Sequence, residues 1–177
     1  MGVMTVGLVS LAQLFALSIG ANHSSKTTTF AVMLAQQKME QLRGLTWGFD
    51  PVGLPVSDVT TNSSAVPQAT GCPTASGGGV GTGLSPSPSG TLGGNVSGWV
   101  DYLDLNGCLL GGGSTAPART IYIRRWSVEP LPTNPNNTVI LQVLVTRRTN
   151  RGAADDGNVL RMPEEARVMN VKTRKYK

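Results

Sequence analysis

Charge is missing from the start of this chain: no Asp, Glu, Lys or Arg occurs before Lys26. Histidine occurs once, at His23, and cysteine only at Cys72 and Cys108. Each scarcity removes a class of chemistry. His23 is far in sequence from any nucleophile it could activate, so neither a Ser-His-Asp nor a Cys-His arrangement is encoded. His23, Cys72 and Cys108 also lack the paired spacing of zinc ligands. The glycine-rich run SGGGVGTGLSPSPSGTLGG contains no Gly-Lys-Ser/Thr and does not match the dinucleotide fingerprint, which argues against a phosphate loop. The residues therefore point away from an enzyme, and they imply no cofactor and no metal.

What the N-terminus has instead is an uncharged apolar run. Residues 1–22 are expected to form a transmembrane half-helix, with Val3, Leu8, Leu11, Leu14, Phe15, Leu17 and Ile19 as its apolar surface. At about 1.5 Å per residue, roughly twenty such residues span the ~30 Å hydrocarbon core of a bilayer. A cleaved secretory signal would open on a basic segment, and nothing basic precedes the run. Helix-compatible sequence continues from Ala21 to Arg43 without Pro or Gly. There Ala31, Leu34, Ala35, Met39, Leu42 and Leu45 recur at helical steps, while Gln37, Lys38 and Gln41 are placed on other faces. Residues 23–47 thus read as an amphipathic continuation, ended by Gly44 and by Trp47-Gly48-Phe49-Asp50-Pro51.

The run MGVMTVGLVSLAQLFALSIG followed by AVMLAQQKMEQLRGLTW resembles the N-terminal helix of minor pilins of the PilV type and of type II secretion pseudopilins. The resemblance covers residues 1–47. It implies an α+β fold, a long helix packed on a C-terminal antiparallel sheet. It also implies a structural subunit of a type IV pilus or related secretion filament, whose partners are other pilin subunits and the assembly platform. Such a subunit sits in the cytoplasmic (inner) membrane as a single-pass protein with an exported C-terminal domain, and becomes part of a filament after assembly. Small residues such as Gly2, Gly7, Ala12 and Ala16 would favour helix packing there. The family's basic leader, Gly-Phe cleavage site and early glutamate are not present, so the expectation is that the natural start lies upstream of Met1. The alternative is a single-pass membrane-anchored envelope protein with an exported β-rich binding domain. Against it stands the unbroken passage from apolar to amphipathic helix.

Beyond the helix, residues 48–98 are rich in Gly, Ser, Thr and Pro and read as a long mobile surface loop. Residues 99–177 read as the antiparallel sheet domain, with strands at Trp99–Leu105, Thr120–Glu129, Thr138–Thr149 and Ala166–Thr173. Val139, Leu141, Val143 and Val145 alternate, as they would on a strand lying over a helix. Cys72 and Cys108 suit one disulfide in an exported domain, with free cytosolic thiols as the alternative.

Charge is uneven along the chain. Residues 1–118 carry three basic and five acidic groups, residues 119–177 twelve basic and five acidic. Arg124, Arg125, Arg147 and Arg148 are candidates for a basic patch, with Tyr122 and Trp126 on the face of Arg124; the tail adds Lys172, Arg174, Lys175 and Lys177. A solvated or subunit-contacting face is the first reading, nucleic-acid capture the second. Asp101, Asp104 and Asn106 near Gly107 invite a calcium loop, but Tyr102 stands at a ligand position and no Glu closes it, so a strand and an Asn-Gly turn is preferred. The Asn-x-Ser/Thr sequences at Asn22, Asn62, Asn95 and Asn136 are assigned no function.

Overall fold

The computed structural model describes residues 2–64, 71–72, 82–148 and 165–175, without the side chains of residues 2–6, 8 and 23. One helix, α1 (Gly2–Gly44), runs through both parts of the N-terminal sequence without a break. Gly44 is its last residue. Trp47 then enters a small antiparallel ribbon of β1 (Trp47–Phe49) and β2 (Pro55–Ser57) instead of closing the helix. The Asp50 carboxylate folds this turn, its Oδ1 accepting from the N–H groups of Val52 (2.9 Å) and Leu54 (2.7 Å).

The main sheet is antiparallel, in the order β4-β3-β5-β6-β7. Its strands are β3 (Val100–Leu103), β4 (Leu109–Gly112), β5 (Tyr122–Pro130), β6 (Thr138–Arg147) and β7 (Glu165–Thr173). The fold is therefore α+β, a long N-terminal helix with a C-terminal antiparallel sheet. β5 and β6 form its central hairpin, in register from Tyr122 opposite Arg147 to Pro130 opposite Val139. Asn134 organises the connection by accepting from Asn137 and Thr138. β4 is the strand of the main sheet that sequence reading missed, because Leu-Leu-Gly-Gly is short and glycine lowers strand propensity; β1 and β2 were missed as well. Pairing with β3 makes it a strand, across a turn at Gly107 whose φ of 79° suits glycine.

Core packing follows the two periods. Ala31, Leu34, Ala35, Met39 and Leu42 are all buried on one stripe of α1, facing Val139, Leu141, Val143 and Val145 of β6 and Tyr122, Trp126 and Val128 of β5. The helix rests mainly on β6 and β7. Two sequence expectations need correction. Lys38 is fully buried, because four residues after Leu34 and three after Ala35 it falls on the core stripe and not beside it. Parts of residues 48–98 are built into the fold: Leu84 is in the core, Val96 packs against it, and Ser63 and Ser64 are buried, while residues 51–56 and 59–62 are exposed as expected of a surface loop. Residues 73–81, at the centre of that low-complexity stretch, lie outside the described residues.

Candidate functional site

Three charged side chains meet where α1 crosses the sheet. Lys38 of α1, Asp101 of β3 and Arg124 of β5 all have 0% side-chain exposure. Register brings the last two together, since Asp101 pairs directly with Arg124 across β3 and β5, and the even-numbered side chains of β5 face the helix. Asp101 Oδ2 accepts from Lys38 Nζ (2.7 Å) and from Arg124 Nη2 (2.8 Å) and Nε (3.2 Å). Arg124 Nη1 reaches back to α1, donating to the Leu34 carbonyl at 3.2 Å and Gln37 Oε1 at 3.1 Å. Lys38 Nζ also donates to Gln41 Oε1 at 3.0 Å and to the Ser63 carbonyl, and stands 4.0 Å from the centre of the Trp126 ring.

Two cations and one anion leave this cluster with an excess of one positive charge, sealed from water. Burial penalises the ammonium form of Lys38 more than Asp101 favours it, and Arg124 adds repulsion, so the Lys38 pKa falls to about 8. An amine of that basicity suits nucleophilic catalysis, but no substrate can reach a side chain with no exposed surface. The cluster's chemistry is mechanical: it ties α1, β3, β5 and the loop at Ser63 to one point.

The expected basic patch does not form. Arg124 is spent in the cluster, and Arg125, on the opposite face of β5, is buried with Nε and Nη2 donating to Asn95 Oδ1 at 3.0 and 2.8 Å. Arg147 ends β6 opposite Tyr122 and Arg148 follows it, with Arg148 Nη1 donating to the Pro117 carbonyl at 3.3 Å. Tyr122 and Trp126 share Arg124's face as the alternation predicts, but they are buried under the helix and present no stacking platform.

Two tail cations also serve the fold. Lys172 Nζ caps the C-terminus of α1, donating to the carbonyls of Arg43 (2.6 Å) and Leu45. Arg174 stacks 3.7 Å from the Trp47 ring centre and donates to the carbonyls of Gly48, Val56 and Asn136. Asp101 is accounted for by the ion cluster. Asp104 shapes the turn after β3, its Oδ1 accepting from the N–H groups of Asn106 and Cys108, both at 2.8 Å. Among the described residues no group of His, Cys, Asp and Glu is placed to hold a metal.

Cys72 and Cys108 form the disulfide, with Cα atoms 5.5 Å apart, and it fastens residue 72 to the segment between β3 and β4.

The N-terminal half of α1 has a different character. Leu11, Leu14, Phe15, Leu17 and Ile19 are 53 to 71% exposed, so none of these five bulky apolar side chains is buried in the domain. For Val3 and Leu8 the structure describes helical backbone alone. Among the described residues, no helix is long and apolar enough to cross a membrane.

Sequence reasoning missed Lys38 and Asp101 as members of one cluster, along with Asn95 as a partner of Arg125. A lysine inside an apolar helical stripe was the available signal for the first. Nothing short of the strand register reveals the other two.

Compared with known proteins, the chain matches no family model, no curated protein and no solved structure.

Proposed function

We propose that this chain is a structural subunit of a type IV pilus or related secretion filament, a minor pilin or pseudopilin that assembles through the N-terminal half of α1. The observation that carries this is the continuity of α1. One helix of 43 residues passes from a stretch whose bulky apolar side chains are bare to a stretch whose apolar stripe is sealed against the sheet. A bare apolar stretch is stable only when covered, by lipid or by equivalent helices. Because no linker intervenes, whatever holds the first half also fixes the orientation of the sheet, as a repeating assembly requires. The subunit waits in the inner membrane with its sheet exported, and exchanges lipid for neighbouring helices on assembly. Its role is architectural rather than catalytic.

The test is a charge placed in the bare half. The chain is expressed in cells that build such a filament, then followed through membrane fractionation and into sheared filaments. Wild type is expected in both fractions. Leu14→Lys, which costs about 3 kcal/mol at the centre of a membrane helix, should lower both while the near-ultraviolet circular dichroism of the sheet domain stays unchanged. Wild type in the membrane but never in filaments would give way to the anchored binding protein. Wild type in neither fraction would end both readings.

A further inference from the structure

The edges of the main sheet are treated differently. Past Arg125, β5 has no strand partner on its β3 side, and the preceding loop closes this edge: Ser87 N donates to the Val128 carbonyl at 2.8 Å, and Val128 N donates to Ser87 Oγ at 3.2 Å. The same loop supplies Asn95 to Arg125 and so covers the outer face there. β4, at one end of the sheet, is short and glycine-containing. β7, at the other end, is nine residues long and, among the described residues, pairs only with β6. It contains no proline and no register shift, two of the usual devices that blunt an edge.

The side chains of β7 are unusual for an unprotected edge. Its outward face presents Arg167, Met169, Val171 and Thr173 in alternation, with Met169 at 65% and Val171 at 57% exposure. Val171 sits opposite Ile140 and Met169 opposite Gln142, so an apolar strip runs along the rim of the sheet. Lys175 follows at the same spacing and is exposed. An open cleft runs along the same edge, lined from the helix side by Arg43, Leu45, Trp47 and Lys172 and from the outward face by Val171, Thr173 and Lys175. An incoming strand therefore meets backbone that has no strand partner among the described residues, two apolar side chains, Lys175 at one end, and at the other Arg167, which donates to Gln142 Oε1 at 2.5 Å and follows Glu165 on the same face.

We propose that the free edge of β7 is a docking site for an extended acidic segment of another protein, which adds a further strand to the five-stranded sheet. Backbone hydrogen bonds supply the pairing, Met169 and Val171 receive apolar side chains at alternate positions, and acidic residues flanking those meet Arg167 and Lys175. A second copy of this chain is the poorer occupant. Antiparallel pairing of two β7 strands about an axis normal to the sheet points their α1 helices in opposite directions, which one membrane or filament core cannot accept. That choice of occupant rests on the filament reading above; the open edge of β7 itself does not.

The experiment uses the full chain in detergent micelles and a synthetic peptide as long as β7, with glutamates at both ends and two alternate valines between them. Amide hydrogen exchange is followed residue by residue. In the free chain the N–H groups of β7 that point away from β6 should exchange fast. The peptide should slow them, a peptide with lysine in place of glutamate should bind at least about tenfold more weakly, and the double variant Arg167→Glu, Lys175→Glu should reverse that preference. The proposal is overturned if the outward amides are already slow in the free chain at every concentration, or if the glutamate peptide protects none of them. Equal binding of both peptides overturns its acidic specificity. Protection that rises with protein concentration alone would make a second copy the occupant and overturn it likewise.

Discussion

At the residue scale the buried cluster shows how unequal three charged partners can be. Asp101 is the only anion between two cations, so Asp101→Asn leaves Lys38 and Arg124 facing each other in a site without water. Losing one partner of a buried ion pair costs about 3 to 5 kcal/mol, and this loss is expected at the upper end. Lys38→Met instead leaves one cation and one anion in contact, and should cost clearly less: it gives up the ion pair to Asp101, the hydrogen bonds to Gln41 and Ser63 and the contact with the Trp126 ring, but strands no unpaired charge and removes a buried like-charge repulsion. Denaturant unfolding followed by tryptophan fluorescence ranks the two.

The same variants separate the pH dependence. With the Lys38 pKa near 8 in the folded chain and 10.5 as its ordinary value, the unfolded state binds more protons between those limits. Stability from this group therefore rises as pH increases from about 8 to 10.5, by on the order of 3 kcal/mol at most. The gain of wild type over Lys38→Met across that window is the quantity to measure. A difference that stays flat would mean that the ammonium is not destabilised by burial.

At the element scale α1 carries two environments on one backbone. Its packing stripe contains alanine at 31 and 35 where the helix meets the sheet, both with 0% exposure. Small side chains there set how close the helix lies, and with it the reach of Lys38 to Asp101. Ala35→Leu forces added volume into a filled core, at about 1 to 3 kcal/mol, and should also lengthen the Lys38–Asp101 contact, readable as a further lowered midpoint in ammonium titration, since Asp101 favours the charged form. The stripe from Ala31 to Leu42 was readable in the sequence because apolar spacing on a helix depends only on its own geometry. The four main strand segments were readable for the same reason. β4 and β1 were not, because their strand state comes from partners and not from their own residues.

At the scale of the whole molecule, the disulfide ties residue 72 to Cys108, which is itself buried beside the core residue Leu109. Cys72 and Cys108 are separated by 36 residues, many of them Gly, Ser and Pro. The chain-entropy model assigns such a closure about 4 kcal/mol, and replacing Cys72 and Cys108 by serine together should lower unfolding stability by about 2 to 4 kcal/mol. The denaturant midpoint of the double variant, compared with that of reduced wild type, checks this. Agreement between the two would place the effect in the lost crosslink rather than in the serines.

The sequence by itself determined the α+β order of elements, the apolar character of the helix's first half, the core stripe of its second half, and the alternation of β6. These follow from periodicity, which each segment carries alone. Only the tertiary structure decided the fate of the charges. Arg124 and Arg125 looked like a surface patch because arginine usually seeks water, and neighbouring strand residues face opposite ways without either face being labelled. Register then set Asp101 against Arg124, the helix stripe delivered Lys38 to the same point, and Asn95 met Arg125 on the other face. Burial of a charge is a property of several segments meeting at once, and no single segment encodes it.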